Sequence, residues 1–597
     1  MGLTYAFLYM GRYNLTVAKN ALGNLMTKED FGWIFGVGTL VYGVSFLLNG
    51  PLTDRFGGRR SLLAAAFGSA AANLAMGLYL SHVVASGNAS ASGIRLVMTV
   101  LYAVNMYFQS FGAVAIVKVN SAWFHVRERG AFSGIFGTMI SSGIFFAFTV
   151  NGWLLKAFTD HVDASEKTLQ TRWVFLVPAA ILLAVAIIES FLLRDRPSEA
   201  GHEDFDTGEG VDDGGDVSLF DVAKRVIAHP VIRTIAFIEF CTGVLRSGIM
   251  HWYPIYVNEV TALPSTSYLS NGDWGTLSEA LVRLAVFFSI GGALVFLASR
   301  TKGPRRGVLY ASGALVFLAP FLQGGWGGMQ MVAGVIGGNV AGYVSDFFFQ
   351  SRRAPAAGGL YAVLLVCVLV MPFGLGGSTT TVAHGASALK DGDRVVSVAG
   401  VPVSDWASAR RAYACVPAPC KGGARFDLAS CLCAAEPKSP ASRGETSGTI
   451  AIEVERGGEK MTVQSPDTAV KRVGETLEPT MRAGDGRTLK GEPVPFRTPY
   501  LLGVIVFVMM LSVIGTHGLL SGTATMDFAG KKGTGMAVGI IDGFVYLGTA
   551  VESFALGYLT TKSWSYWPLF LAPFGVVGFV LCLRIWNARA GRAAAAH

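Results

Sequence analysis

The sequence predicts an all-α polytopic membrane protein of about fourteen spans, with a small α/β domain inserted among the later helices. Three observations predict this class. Of the 597 residues 52% are hydrophobic, only 15% are charged, and apolar stretches of about 20 residues recur along the chain. Soluble domains carry about 25% charged residues. The composition therefore excludes a soluble enzyme, a disordered scaffold and a nucleic-acid binder, although the formal net charge is +8.

The apolar stretches are the elements of the predicted bundle. They lie near 2–22, 31–52, 60–82, 94–121, 131–155, 173–194, 232–258, 281–299, 307–323, 327–346, 357–375, 499–526, 534–560 and 566–584. Lysine and arginine gather in alternate loops, which by the positive-inside rule places both termini in the cytoplasm. We expect a multi-pass protein of the inner membrane whose helices contact lipid.

The chain divides into five segments. A run of nine acids against the single base Arg196, at 195–217, marks a flexible cytoplasmic linker between the halves. The helix count places a second polar segment outside the membrane. The expected order is a six-helix half at 1–194, the linker at 195–230, the start of the second half at 231–375, the outside domain at 376–497, and the last three helices with a basic tail at 498–597.

A short motif recurs at corresponding points of the two halves. Each copy places an aspartate four residues after a glycine and then adds arginines. The residues are Gly50, Asp54, Arg55 and Arg59 at the end of the second stretch, and Gly342, Asp346 and Arg352 at the end of the tenth. Glycine allows close helix packing, and aspartate with arginine can hold a neighbouring helix end. We expect a conformational latch; for one copy alone, an ordinary basic loop is the alternative.

This motif resembles the signature of the major facilitator superfamily. Within that superfamily the chain resembles the organophosphate:phosphate antiporters, the family of the glycerol-3-phosphate and hexose-6-phosphate transporters. The likeness covers about 430 residues and is carried by 9–18, 245–254, 333–353 and 529–548. It implies a fold of two six-helix halves, to which this chain adds two helices at 278–325. It also implies a secondary transporter that is not an enzyme, needs no cofactor and exchanges a phosphate ester or related anion for inorganic phosphate.

The resemblance assigns substrate binding to Arg12 and Arg246, on matching helices of the two halves. A charged side chain inside the bilayer is costly, and two guanidinium groups suit a phosphate dianion. The alternative for Arg12 is snorkelling to the interface or pairing with Glu239. The neighbouring residues expected to contact substrate are Tyr9, Tyr13, Asn14, His251 and Trp252.

The chain departs from the family at several positions. Phe46 stands where well-known members have lysine, 138–142 lacks their histidine, and His251 replaces a common acid. Two other functions therefore stay open: a membrane sensor of a phosphorylated ligand, and a proton-coupled symporter of an organic anion that uses Asp542 or Glu239. Asp542 is expected either to take part in coupling or to form an ion pair within the bundle.

Residues 385–465 resemble a PDZ domain, with a strand hairpin around Gly457 and Gly458 and a short helix at 406–414. PDZ domains bind peptide strands, so an extracytoplasmic protein partner is one expectation and a packing module is the other. Four cysteines lie between the strands and are expected to form disulfides, with a zinc site as the alternative. They are Cys415, Cys420, Cys431 and Cys433.

Overall fold

The structure is a computed structural model. It describes the chain apart from residues 23–24, 87–90, 125–128, 161, 163–167, 205–227, 261–266, 351, 376–377, 385–388, 399, 404–408, 410–425, 428–431, 434–449, 466–489, 494–498 and 589–597. Some side chains within helices and strands also lie outside the description, among them those at 129–136 and 522–538. Most of the acidic linker therefore falls outside the described residues.

Helices form the first half of the described chain. They are α1 (Gly2–Leu22), α2 (Lys28–Phe56), α3 (Gly58–Ala85), α4 (Ala91–Trp123), α5 (Arg129–Phe145), α6 (Asn151–Thr159) and α7 (Trp173–Leu192). A π-helical segment, Phe146–Val150, joins α5 to α6, and short 3-10 turns, Leu169–Arg172 and Pro197–Ala200, flank α7.

The second half continues with helices α8 (Pro230–Met250), α9 (Trp252–Val260), α10 (Leu277–Arg300), α11 (Pro304–Leu318), α12 (Gly325–Phe349), α13 (Arg353–Gly374), α14 (Pro499–His517), α15 (Thr525–Lys562) and α16 (Tyr566–Arg584). A 3-10 segment, Ala319–Gly324, precedes α12, and a second π-helical segment, Gly518–Ala524, joins α14 to α15.

Local sequence explains where several helices begin. Thr27 caps α2: its hydroxyl accepts from the Asp30 amide at 3.0 Å, and the Asp30 carboxylate accepts from the Thr27 amide at 3.0 Å. Thr276 and Glu279 form the same box before α10. Pro230 opens α8 at a position where its missing N–H costs nothing.

Ten helical segments of the described residues are long and apolar enough to cross a membrane. One of them, Arg305–Phe349, includes both α11 and α12. Helices are present at each apolar stretch that the sequence marks. The protein is thus a helical multi-pass membrane protein, while fourteen crossings and the orientation of the termini stay predictions.

Helices α10 and α11 lie within 278–325 but for the first residue of α10, the segment expected to add two helices; that they are an insertion stays a prediction. They pack on each other through contacts such as Gly291 against Phe317. Most apolar side chains of α10 are exposed, including Leu281, Val282 and Phe296. Such a surface suits lipid, so the hairpin lies at the periphery of the bundle.

A small antiparallel sheet lies between α13 and α14. Its strands are β1 (Ser378–His384), β2 (Arg394–Val398), β3 (Val401–Pro402), β6 (Ile450–Arg456), β7 (Glu459–Ser465) and β8 (Lys490–Pro493), in the order β7-β6-β2-β1-β8 with β3 beside β2. A separate pair is formed by β4 (Phe426–Asp427) and β5 (Leu432–Cys433).

The β6–β7 hairpin turns at Gly457 and Gly458, as the sequence predicts. Both glycines have positive φ, 61° and 90°, which a two-residue turn of this kind requires. The helix expected at 406–414 lies almost wholly outside the described residues, and the PDZ identity of the sheet stays a prediction.

The two halves meet tightly at one end of the bundle, which we name the closed end. Lys28 Nζ donates to the Thr560 carbonyl oxygen at 2.9 Å, and Thr149 Oγ1 donates to the Gly324 carbonyl oxygen at 2.5 Å. Gly32 on α2 faces backbone atoms of α15. At the opposite end, which we name the far end, no atom of the described residues lies within 4 Å of where a Cβ of Gly50 would stand.

Candidate functional site

Arg12 lies in the middle of α1 and is completely buried, at 0% exposure. Its Nε donates to Oε1 of Gln109 at 2.7 Å, and its two Nη atoms donate to the hydroxyls of Tyr546 and Tyr42 at 3.0 Å and 3.3 Å. These partners lie on α4, α15 and α2, so one side chain joins three helices to α1. All three partners are neutral, and none of them compensates the buried charge.

Tyrosine rings complete the surroundings of Arg12. Its Cζ lies 4.6 Å from the ring centroid of Tyr9, 4.5 Å from that of Tyr42 and 5.9 Å from that of Tyr13, within cation–π range. The Tyr102 hydroxyl donates to the Arg12 carbonyl oxygen at 2.8 Å and fixes α1 against α4. The guanidinium is therefore held in one orientation by the protein itself, an arrangement that would lower the entropic cost of binding an anion there.

Arg246 lies on α8 in the second half and is half-buried. Its Cζ stands 5.8 Å from the ring centroid of Tyr546, the residue whose hydroxyl accepts a hydrogen bond from Arg12. Within the described part of the chain, the Arg246 guanidinium has no hydrogen-bond or ion-pair partner. Tyr546 thus contacts one arginine of each half.

His251 lies directly after α8 and is buried among residues of the first half. Its Nδ1 is 2.8 Å from Thr16 Oγ1, and its ring centroid lies 4.4 Å from that of Phe35 and 4.8 Å from that of Tyr13. With 2% exposure it packs across the halves at the closed end. The structure therefore places it beside Tyr13, in an aromatic enclosure.

Asn14 and Trp252 have structural partners away from Arg246. Asn14 Nδ2 donates to Asn73 at 2.8 Å and to the Val174 carbonyl oxygen at 3.1 Å, which connects α1 with α3 and α7. Trp252 is fully buried, with its ring centroid 5.8 Å from that of Phe31. Of the residues expected around the arginines, Tyr9 and Tyr13 are the ones that contact Arg12.

The expected latch residues lie at the far end, each within its own half. The Arg59 amide donates to Asp195 at 2.6 Å, whereas Arg55 is exposed. Asp346 pairs with Arg353 at 2.5 Å, and the neighbouring Arg352 donates from Nε to the Phe349 carbonyl oxygen at 3.3 Å. Asp346 therefore pairs with Arg353 and not with Arg352. Arg353 is the first residue of α13 and lies at the same helix junction as Asp346. The side chain of Asp54 lies outside the described residues.

Two carboxylates of the second half, those of Asp542 and Glu239, have partners that the sequence did not predict. Asp542 Oδ1 accepts from Ser521 Oγ at 2.5 Å. Glu239 Oε2 lies 2.8 Å from His517 Nδ1, so Glu239 is the partner of a histidine and not of Arg12.

Four cysteines proposed for disulfides cannot be placed. Cys415, Cys420 and Cys431 lie outside the described residues, as does the side chain of Cys433. The described free cysteines are Cys241, Cys367 and Cys582, which lie within helices.

Three residues that bond to Arg12 were not predicted from the sequence. Gln109, Tyr42 and Tyr546 supply all the side-chain hydrogen bonds of Arg12 described above. A polar glutamine inside the apolar α4 was an available signal, since buried polar groups in membranes seek partners. Tyrosines are common in membrane helices, and their sequence positions carry no such signal.

A polytopic helical protein with a preorganised cationic site between two halves is typical of membrane transport proteins. The sequence profile of the Major Facilitator Superfamily matches residues 1–330, more than half of the chain. The protein belongs to this superfamily.

Several curated proteins are similar to it. The membrane sensor protein UhpC of Salmonella typhimurium is 24% identical over 339 residues, which cover 53% of this chain and 69% of that protein. The glycerol-3-phosphate transporter of Bacillus subtilis is 22% identical over 375 residues, 61% of this chain and 68% of that protein. The probable sulfoacetate transporter SauU of Cupriavidus necator is 22% identical over 336 residues, which cover 50% of this chain and 71% of that protein.

The matched part of the chain spans only 55% of another relative, the UhpC protein of Escherichia coli. The superfamily and the transporter-named relatives indicate a transporter and not an enzyme, as the sequence predicts.

Proposed function

We propose that the protein is a secondary transporter that exchanges an organic phosphate ester, or a related anion, for inorganic phosphate. The observation that carries this proposal is the pair of arginines on either side of Tyr546, with Arg12 fully buried and Arg246 without a protein partner among the described residues. Relatives named as glycerol-3-phosphate transporters support the choice of a phosphate ester.

An anion suits this site for electrostatic reasons. Two guanidinium groups stand in an apolar bundle, and the side-chain partners of Arg12 are neutral hydroxyl and amide groups. An arriving anion supplies the missing counter-charge and accepts paired N–H donors. Because one arginine belongs to each half, a bound anion draws the halves together.

Alternating access follows from the asymmetry between the two ends. The contacts of Lys28 and Thr149 hold the halves together at the closed end. If the basic loops are cytoplasmic, as the positive-inside rule predicts, the closed end faces outward and the site is reached from inside. Substrate would enter at the far end, and rocking of the halves about the arginines would release it on the other side.

Phosphate counterflow tests the proposal. Proteoliposomes of the full chain are loaded with phosphate, and entry of labelled phosphate is measured for wild type, Arg246→Ala and Arg246→Lys. Charge-assisted hydrogen bonds contribute about 1.5–3 kcal/mol each, so Arg246→Ala should lower phosphate affinity at least tenfold. Lysine retains the charge without the fork and should give an intermediate loss.

The matched control is Arg394→Ala. It removes an exposed arginine of the small sheet, outside the helical bundle, whose Nη1 lies 3.5 Å from Oε2 of Glu455. Exchange in this variant should equal that of wild type. Equal exchange in wild type and Arg246→Ala, or an absence of both phosphate binding and exchange in wild type, would refute the anion site. If exchange is found, candidate esters can be ranked by competition.

A membrane sensor is the second candidate. Two of the similar proteins are named as sensors, and the inserted sheet between α13 and α14 offers a module for an external partner. Phosphate binding that depends on Arg246, without measurable exchange, would favour this function over transport.

A further inference from the structure

A second group of titratable residues lies in the second half. Glu239 on α8 has 0% side-chain exposure, and its Oε2 is 2.8 Å from Nδ1 of His517, the last residue of α14. The other oxygen of Glu239, Oε1, is buried without a hydrogen-bond partner. On α15, Asp542 is half-buried and bonds to Ser521. We name Glu239, His517 and Asp542 the acidic triad.

The backbone around the acidic triad is specialised. The π-helical segment Gly518–Ala524 begins directly after His517 and contains Ser521. π-helical turns are rare and occur frequently at functional sites. His517, directly before the segment, bonds to Glu239 on α8, and Ser521 within the segment bonds to Asp542 on α15. This end of α14 is thereby connected to both helices.

The acidic triad lies on the far-end side of the arginines. Glu239 precedes Arg246 by two helical turns on α8, roughly 10 Å along the axis, and Asp542 precedes Tyr546 by about one turn, roughly 6 Å on α15. Both helices run from the far end to the closed end. An anion that enters from the far end therefore meets the carboxylates before it reaches Arg246.

We propose that the acidic triad is a proton-binding site and that its occupancy is coupled to anion binding at the arginines. This inference rests on the proposed function, which it deepens by adding a proton as the co-transported ion. The buried Glu239 has one oxygen free to hold a proton, and the partly exposed His517, at 27%, connects it with water. His517 therefore accepts a proton from water, and the pair His517–Glu239 retains it.

Electrostatics provides the coupling. The charges of Glu239, His517 and Asp542 interact with that of Arg246. Ionised carboxylates repel an incoming anion and compete for Arg246, whereas a proton on the triad removes both effects. Anion and proton thus favour each other's binding, by the reciprocity that governs any two linked ligands. In balance, one proton enters with the anion and is returned to water when the anion leaves.

Other titratable groups near the triad are neutral or already part of the site. Besides His517, Asp542 and Arg246, three groups interact electrostatically with Glu239: Cys241 on the same helix α8, Tyr361 on α13 and Cys582 on α16. The Tyr361 hydroxyl donates to the Ile238 carbonyl oxygen at 2.9 Å and contacts Thr242 Oγ1 at 2.7 Å, so it is occupied by the backbone and a neighbouring hydroxyl of α8.

The pH dependence of phosphate affinity tests the proposal. Phosphate binding to the reconstituted full chain is measured from acidic to alkaline buffer, and one coupled proton should weaken the affinity by up to about tenfold for each unit of rising pH. Glu239→Gln, His517→Gln and Asp542→Asn are compared with wild type, with phosphate exchange at equal pH measured alongside. The matched control is Glu552→Gln, which changes a buried carboxylate on α15 that bonds to Ser553 at 3.0 Å.

The variants decide the outcome, because phosphate itself carries a titratable proton. We expect Glu239→Gln to retain exchange at equal pH and to lose most of this pH dependence, while Glu552→Gln shows the same pH dependence as wild type. The wild-type pH dependence in all three triad variants would overturn the proton site and leave the anion site intact.

A second measurement is independent of phosphate. Infrared difference spectra of the reconstituted protein between acidic and alkaline buffer report protonated carboxyl groups directly. The proposal expects a carboxyl band in wild type that is missing in Glu239→Gln and present in Glu552→Gln. Identical spectra for wild type and Glu239→Gln would overturn the proton site, whatever the result of the phosphate measurements. A protein that neither binds nor exchanges phosphate would refute the proposed function instead.

Discussion

Replacing Gly32 with alanine should open the closed end. A Cβ at this position would stand 2.8 Å from the Gly557 Cα and nearer still to the Ser553 carbonyl oxygen. Carbon atoms pack about 3.5–4.0 Å apart, so α2 and α15 would have to separate by about 0.7 Å or more. Both opposing atoms belong to the backbone, so no side chain can rotate to relieve the contact.

The size of the change in the open-to-closed ratio follows from the fact that the contact of Gly32 with α15 exists only in the closed state. Overpacking costs about 1–3 kcal/mol, and here the cost applies only while this end is closed. Alanine also favours the helix by about 1 kcal/mol over glycine, but this gain is the same in both states and cancels. The ratio of open to closed molecules at this end should therefore rise about 5- to 150-fold.

Spin-label distances provide the assay. Labels on cysteines introduced at the exposed residues Ser86 and Tyr268 report the separation of the two halves near the closed end. Gly32→Ala should shift the distance distribution towards longer values. Gly50→Ala on the same helix is the control, because its Cβ would meet no atom of the described residues within 4 Å. An unchanged distribution in Gly32→Ala, or an equal shift in Gly50→Ala, would refute the reasoning.

Three further predictions concern other parts of the chain. Thr149→Val removes the hydrogen bond to Gly324, worth about 0.5–1.5 kcal/mol. It should raise the ratio of open to closed molecules, measured with the same spin labels, several-fold less than Gly32→Ala does; a larger rise would contradict this. Arg456 lowers the pKa of Asp393 through hydrogen bonds at 2.6 Å, so the stability contributed by the carboxylate is present above its usual pKa of 3.8 and is lost as pH falls through the lowered value. Hydrogen exchange of β2 and β6, corrected for intrinsic rates, should accelerate over that window in wild type, and Asp393→Asn should already exchange faster at neutral pH; equal rates would refute the contact. Replacing α10 and α11 with a short flexible linker should leave the phosphate exchange rate within about twofold of that of wild type, because these helices pack largely on each other at the periphery. Loss of exchange in a protein that still folds would contradict a peripheral role.

The helices were predictable because their signals are local. Apolar runs mark each segment, and caps refine the ends: the apolar stretch at 31–52 belongs to a helix that begins at Lys28, because the Thr27–Asp30 box satisfies its first amides. The β6–β7 hairpin is equally local, since adjacent glycines supply the turn. The long α15 extends further than its apolar run, because polar residues at the far end continue the helix.

The candidate site was predictable only in part. Arg12 and Arg246 stand out because a charge within an apolar helix is costly and requires a reason. Asn14 and Trp252 are adjacent to them in sequence, yet helical geometry turns neighbouring side chains to different faces. Tyr546 is 534 positions from Arg12 and still accepts its hydrogen bond, a contact that no local pattern encodes.

The sequence by itself determined the membrane class, the order of the helices and the identity of the two arginines, because composition and single costly charges are properties of the chain. Only the tertiary structure decided which neutral groups hold Arg12, that Arg246 has no hydrogen-bond or ion-pair partner among the described residues, and that Glu239 meets His517 and not Arg12. These pairings depend on the packing and rotation of helices that are distant in sequence. The packing depends in turn on close approaches such as that of Gly32 to α15, which appear only when the two halves are assembled.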